Sequence, residues 1–130
     1  MILAAAVAGC NRLIDLEVYS RDSASAHIHL PEFTNNVGVT TAPADAVHIE
    51  LNERDVLSIA GVSLSRDQMT VILKRIRAAR GNVPVFIWAD ERAQPSAIIL
   101  TIDLAKACGF SEFWTVAKAE DDKIMAYRND

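Results

Sequence analysis

The chain has 130 residues, 51% hydrophobic and 23% charged, with 17 acidic against 13 basic side chains and a net charge of −4. That suits one globular domain with a real core and excludes a largely disordered chain. The mild acidity argues against nucleic acid as a partner, since phosphate binding needs clustered positive charge, and no stretch reaches the ~18 apolar residues of a membrane span.

Residues 1–9, Met-Ile-Leu-Ala-Ala-Ala-Val-Ala-Gly, are small and apolar, and Cys10 follows. Val7-Ala8-Gly9-Cys10 looks like a bacterial lipobox, which would leave Cys10 as a lipid-bearing N-terminus. No Lys or Arg precedes this short run, so the stump of a clipped membrane helix and an ordinary helix start stay open. Cys10 is the lipidation candidate, and residues 1–25 read as a signal or anchor remnant with its linker. Asn11 to Ser20 places Leu13, Ile14, Leu16 and Val18 between charges, a spacing that fits strand and helix about equally.

After a polar loop, His27-Ile28-His29-Leu30-Pro31 alternates and stops at proline, a short extended segment with both histidines on one side. Two histidines so spaced can hold a metal, but only His48 offers a distant third ligand. A solvated face is the reading adopted, and no metal is expected. Glu32 to Asp45 has no periodicity and reads as a flexible linker. Val47, Ile49 and Leu51 then alternate with His48 and Glu50. A polar turn, Asn52-Glu53-Arg54-Asp55, leads into Val56 to Ala60, predicting a hairpin half buried on one face and ended by Gly61.

Ser65-x-x-Gln68 is a capping box, and Met69, Ile72, Leu73 and Ile76 after it share one helical face. Lys74, Arg75, Arg77 and Arg80, the one basic cluster, lie opposite, and Gly81 closes the helix. Val83 to Asp90, a short apolar run bounded by turn formers, predicts a strand buried on both faces, with Pro84 near its start. Pro95 opens a second helix through Ile98, Ile99, Ile102, Leu104 and Ala105 to Cys108, stopped by Gly109. Phe113 to Ala117 reads as the last strand. Residues 119–130 form a charged tail expected to fray, although Ile124, Met125 and Tyr127 could dock. The predicted fold is α+β, a two-layer sandwich of two helices packed on a mixed sheet of four to five strands, spanning residues 26–118.

Chemistry is sparse. No Gly-rich phosphate loop and no Ser/His/acid arrangement is present, so no catalytic residue and no cofactor is expected. Cys108 reads as a small core residue, and Trp88 and Trp114 as packing. Asp90 and Glu91, at a strand's end before a helix, are the best acid pair, with a turn and capping role favoured over a functional one.

From His27 onward the chain resembles the periplasmic domain of the ExbD/TolR family, small subunits of proton-driven motors in the bacterial inner membrane. The resemblance rests on an ordered set of features. They are the extended segment ending Leu30-Pro31, the flexible stretch, and the hairpin Val47 to Leu51 through Val56 to Val62. The helix opening at Ser65, the strand closing in Ala89-Asp90, the helix ending Cys108-Gly109-Phe110 and the strand Phe113 to Ala117 follow in order. It implies a domain at the periplasmic face of the inner membrane that pairs as a homodimer. It also implies an ExbB/TolQ-like membrane partner and a TonB/TolA-like energy transducer. Leu30, Pro31, Asp90, Glu91 and Arg92 are the candidate partner contacts. The family's spanning helix, with its proton-carrying aspartate, has no counterpart in Cys10 to Ser20, and Asp15 does not take that role. The alternatives are a stand-alone peptidoglycan or protein-binding module, lipid-anchored at Cys10, and a small enzyme using Asp90 and Glu91.

Overall fold

The computed structural model describes residues 12–22, 28–33 and 38–129, which form an α+β fold. Its elements are β1 (Leu13–Asp15), α1 (Leu16–Asp22), β2 (Thr41–Pro43), β3 (Val47–Leu51), β4 (Leu57–Ile59) and β5 (Val62–Leu64). Then come α2 (Arg66–Arg80), β6 (Val85–Ala89), α3 (Pro95–Ala107), β7 (Phe113–Lys118) and β8 (Ile124–Asn129). Six strands make a mixed sheet in the order β5-β4-β3-β6-β7-β8, and β1 pairs with β2 in a separate ribbon. β3, β6 and β7 run parallel at the centre, and the flanking strands turn back antiparallel.

The helices begin and end as their sequences dictate. Ser65 Oγ accepts from Gln68 N–H at 3.2 Å while Gln68 Oε1 accepts from Ser65 N–H at 2.8 Å, the reciprocal capping box. Pro95 occupies the first turn of α3, where its missing N–H costs nothing. Met69 and Leu73 of α2 and Ala105 of α3 pack on Val47, Ile49, Leu51, Val85 and Ile87, so both helices cover one face of the sheet.

The opposite face is covered as well, which turns the expected two layers into three. Leu16 of α1, Leu30, Ala42 of β2 and Ala46 pack there on Phe86, Trp88, Val116 and Ala126. The stretch from Asn11 to Ser20, ambiguous between strand and helix, is both in turn over its described residues 12–20: a three-residue strand, then a helix opened by Asp15 Oδ1 accepting from Glu17 N–H at 2.8 Å. The expected linker from Glu32 to Asp45 is largely tied down where it is described. Glu32 bridges Lys118, Val39 bridges Ala126, and β2 pairs with β1; residues 34–37 lie outside the described residues. Gly38 permits the second contact, because a Cβ there would stand 2.8 Å from the Ala126 carbonyl oxygen.

Two strands of the six-stranded sheet went unread in the sequence. β5 follows β4 through Ala60-Gly61, both at positive φ (52° and 81°), the geometry of a tight primed hairpin turn. β8, in the stretch expected to fray, pairs with β7 along six residues from Phe113↔Asn129 to Lys118↔Ile124. These raise the sheet from four or five strands to six, and α1 makes a third helix.

Candidate partner-binding site

β6 ends at Ala89, and the chain turns at once through Asp90. Its N–H still donates to Leu51 O at 2.9 Å, which keeps Asp90 in register with β3. The side chain, 3% exposed, is saturated with donors. Oδ1 accepts from Arg92 N–H (2.9 Å) and Arg92 Nε (3.0 Å), and Oδ2 from Arg92 Nη2 (3.2 Å) and His29 N–H (3.0 Å). The guanidinium, before the backbone donors, holds this carboxyl well below the usual carboxylate range against the opposing effect of burial. Arg92 reaches onward through Nη1 to Glu53 at 2.7 Å, which ties the hub to the β3–β4 loop. Asp55 Oδ1 accepts from Gln94 N–H at 3.1 Å beside it.

The second half of the clasp is residues 28–33. β6 and β7 pair only as far as Ile87↔Thr115, and the segment fills the gap beyond. Glu91 N–H donates to His29 O at 2.7 Å on one side. On the other, Lys118 N–H donates to Pro31 O at 2.7 Å and Phe33 N–H to Lys118 O at 2.8 Å. Leu30 is 5% exposed and belongs to the second core. The five predicted contacts therefore do come together, His29 to Pro31 lying against Asp90 to Arg92, but largely to one another. Leu30 and Asp90, two of these candidate contacts, are buried at 5% and 3% exposure. Glu91 and Arg92 remain exposed and Pro31 half-buried. Cys10 and His27 lie outside the described residues.

The more open surface is one the sequence did not reveal. A groove of about 620 Å³ runs between the β4–β5 hairpin and the first turns of α2 and α3, lined by Leu57, Ser63, Ser65, Arg66, Ser96 and Leu100. β5 forms its rim as an edge strand, and no described strand or bridge covers it. Because Ile59↔Val62 closes a two-residue turn, it is a hydrogen-bonded pair; the N–H and C=O of Ser63 then point away from β4. Val62 is 60% exposed on this edge. The available signal was Ala60-Gly61 followed by Val62-Ser63-Leu64, an alternation too short to register as a strand.

No protein-family model matches the chain, and no curated protein matches it.

A polar cluster lies beneath α1. His48 and Glu50, expected on a solvated face of β3, are 6% and 3% exposed, because α1 and the β1–β2 ribbon roof that face. Trp88 Nε1 donates to His48 Nδ1 at 3.0 Å, and Tyr19 of α1 stacks on the imidazole with centroids 4.1 Å apart. Burial first, and the charge of Arg80 second, pull His48 down to about 4. Burial, then Glu50, push the Tyr19 hydroxyl up. Glu50 Oε1 accepts from Ser58 Oγ at 3.1 Å, whereas His48 Nε2 and Glu50 Oε2 have no hydrogen-bond partner among the described residues. No group of three or more His, Cys, Asp or Glu placed to hold a metal occurs among the described residues, and no helix there is long and apolar enough to cross a membrane.

Proposed function

We propose that this chain is an ExbD/TolR-like periplasmic domain that couples force to a protein partner at the inner membrane of a bacterium. The observation that supports this reading is the open β5 edge beside the groove. An extended segment of a TonB/TolA-like transducer can add there as a seventh strand, bonding to Ser63 and placing alternate side chains in the groove. Load would then pass through the parallel centre of the sheet to residues 28–33, which the Asp90 clasp fixes to β6. From there it would reach whatever tethers the N-terminus, a spanning helix or a lipid on Cys10. An ExbB/TolQ-like ring supplies the proton chemistry, and the domain works as a homodimer.

The test is co-purification from cells. The wild-type chain should bring down a ring-forming membrane protein and the transducer. Val62→Lys, a charge on the exposed edge, should lose the transducer while far-UV circular dichroism and thermal midpoint stay unchanged. Capture of neither partner by the wild type would sink this reading.

A second reading, a stand-alone wall-binding module, is favoured by the exposed Arg92–Glu53 ion pair with Glu91 beside it, a set that suits the amines and carboxylates of peptidoglycan stem peptides. Sedimentation with purified sacculi in the absence of any membrane partner, lost in Arg92→Ala, would support it.

A further inference from the structure

The cluster beneath α1 is closed over in a way that only neutral His48 allows. Its Nδ1 accepts from Trp88 Nε1, so the single ring proton must sit on Nε2. That N–H is buried with no acceptor among the described residues. A second proton would have to enter at Nδ1, where it would face the Trp88 N–H, donor against donor. The same proton would place a full charge on a ring 6% exposed and sandwiched between Tyr19 and Phe86.

The groups around the ring give that charge little help. From α1 comes Tyr19, and from β6 only Phe86 and Trp88. From the end of α2 comes the cation of Arg80, whose Nη1 donates to the Asp45 carbonyl at 3.3 Å. Glu50 is the one carboxylate on this face of β3. It is bonded to Ser58, and no ion pair joins it to His48. Its second oxygen is buried without a donor, so closing the roof leaves two polar atoms unpaired, one on each side chain. Lifting the roof would hydrate both.

We propose that His48 is an acid-operated latch: on gaining a proton it releases the layer made of α1 and the β1–β2 ribbon and bares the Phe86–Trp88 face of the sheet. The helix-covered face stays packed, because its apolar residues belong to a separate cluster. The inference does not rest on the transport reading and survives its failure.

Amide hydrogen exchange, corrected for the intrinsic pH dependence, tests this on the whole chain. Between about pH 7 and about pH 4.5 the opening equilibrium of α1, β1 and β2 should rise roughly 50-fold, from a histidine that titrates near 6.5 when released and at about 4 when closed. Amides of α2 and α3 should keep their protection. His48→Gln, which retains an acceptor for Trp88 but cannot titrate, should flatten the response. The latch is overturned by an unchanged wild-type response, by the same rise in His48→Gln, or by equal opening of α2 and α3. Should His48→Gln not fold, the Cε1 proton resonance of His48 in the wild type decides. A folded-state midpoint near 6.5 overturns the proposal, and one near 4 accompanied by loss of the α1 signals supports it.

Discussion

Asp90 is where a single side chain does the most to hold segments together. It takes both backbone and guanidinium donors of Arg92 and one backbone donor from His29, 61 positions away in the chain. Asp90→Asn leaves one acceptor oxygen and sets an NH2 against donors, so we expect a loss of about 2–4 kcal/mol in urea unfolding. Acid dependence follows with a definite sign. The folded carboxyl titrates below its unfolded value of 3.8, so its contribution is complete above that pH and fades as pH falls toward the folded value. His48 acts earlier. Buried neutral, with its folded value lowered from 6.5 to about 4, it binds fewer protons folded than unfolded across that window. Stability should therefore fall by about 3 kcal/mol as pH drops from 6.5 to 4. Urea midpoints taken across pH should show two stages, the upper absent in His48→Gln and the lower in Asp90→Asn. The turn role of Asp90 was legible, because an acid after a strand and before a helix caps local N–H groups. Its hold on His29 was not, since nothing local marks a partner so distant.

Among the elements, the turn Ala60-Gly61 places an alanine at positive φ. Ala60 sits at φ 52°, where an alanine Cβ is crowded and asparagine is tolerated. Ala60→Asn should raise stability by about 0.5–1 kcal/mol, read as a higher thermal midpoint. Gly38→Val should do the reverse. Its side chain would collide with the Ala126 carbonyl and part Val39 from the outer edge of β8, exposing that edge to aggregation. Light scattering on heating would register it. Both long helices and the central strand were legible because caps and an uninterrupted apolar run are local signals. β4 was legible as the return strand of a hairpin from Val47 to Leu51, whereas β1, β2 and β5 have three residues each, too few for an alternation to rise above chance. β8 hid behind the acidic turn at Glu120 to Asp122, although Met125 and Tyr127 were visible as docking residues.

For the whole molecule the difference between two layers and three decides what is buried. Alternation in Val47 to Leu51 gives the two faces of β3 correctly but is silent on whether the polar face meets water. The clue was its neighbour: β6 is apolar on both faces, and a strand paired in parallel with it shares its cover. A chain lacking residues 1–22 would keep the helix-covered core yet uncover Phe86, Trp88 and Trp114. It should bind a hydrophobic dye and shift its tryptophan emission to the red, while far-UV circular dichroism retains the signal of α2 and α3. Blue, dye-free emission from the truncated chain would mean that the roof contributes little.

The seat of residues 28–33 also sets a schedule. Its walls are β6 and β7, and the last bonds go to Lys118. During synthesis the segment leaves the ribosome long before its walls exist, and at about 5–20 residues per second it waits on the order of ten seconds. Through that interval Leu30 has no place to hide, and an early stretch of the nascent chain depends on whatever shields it until the C-terminal strands arrive.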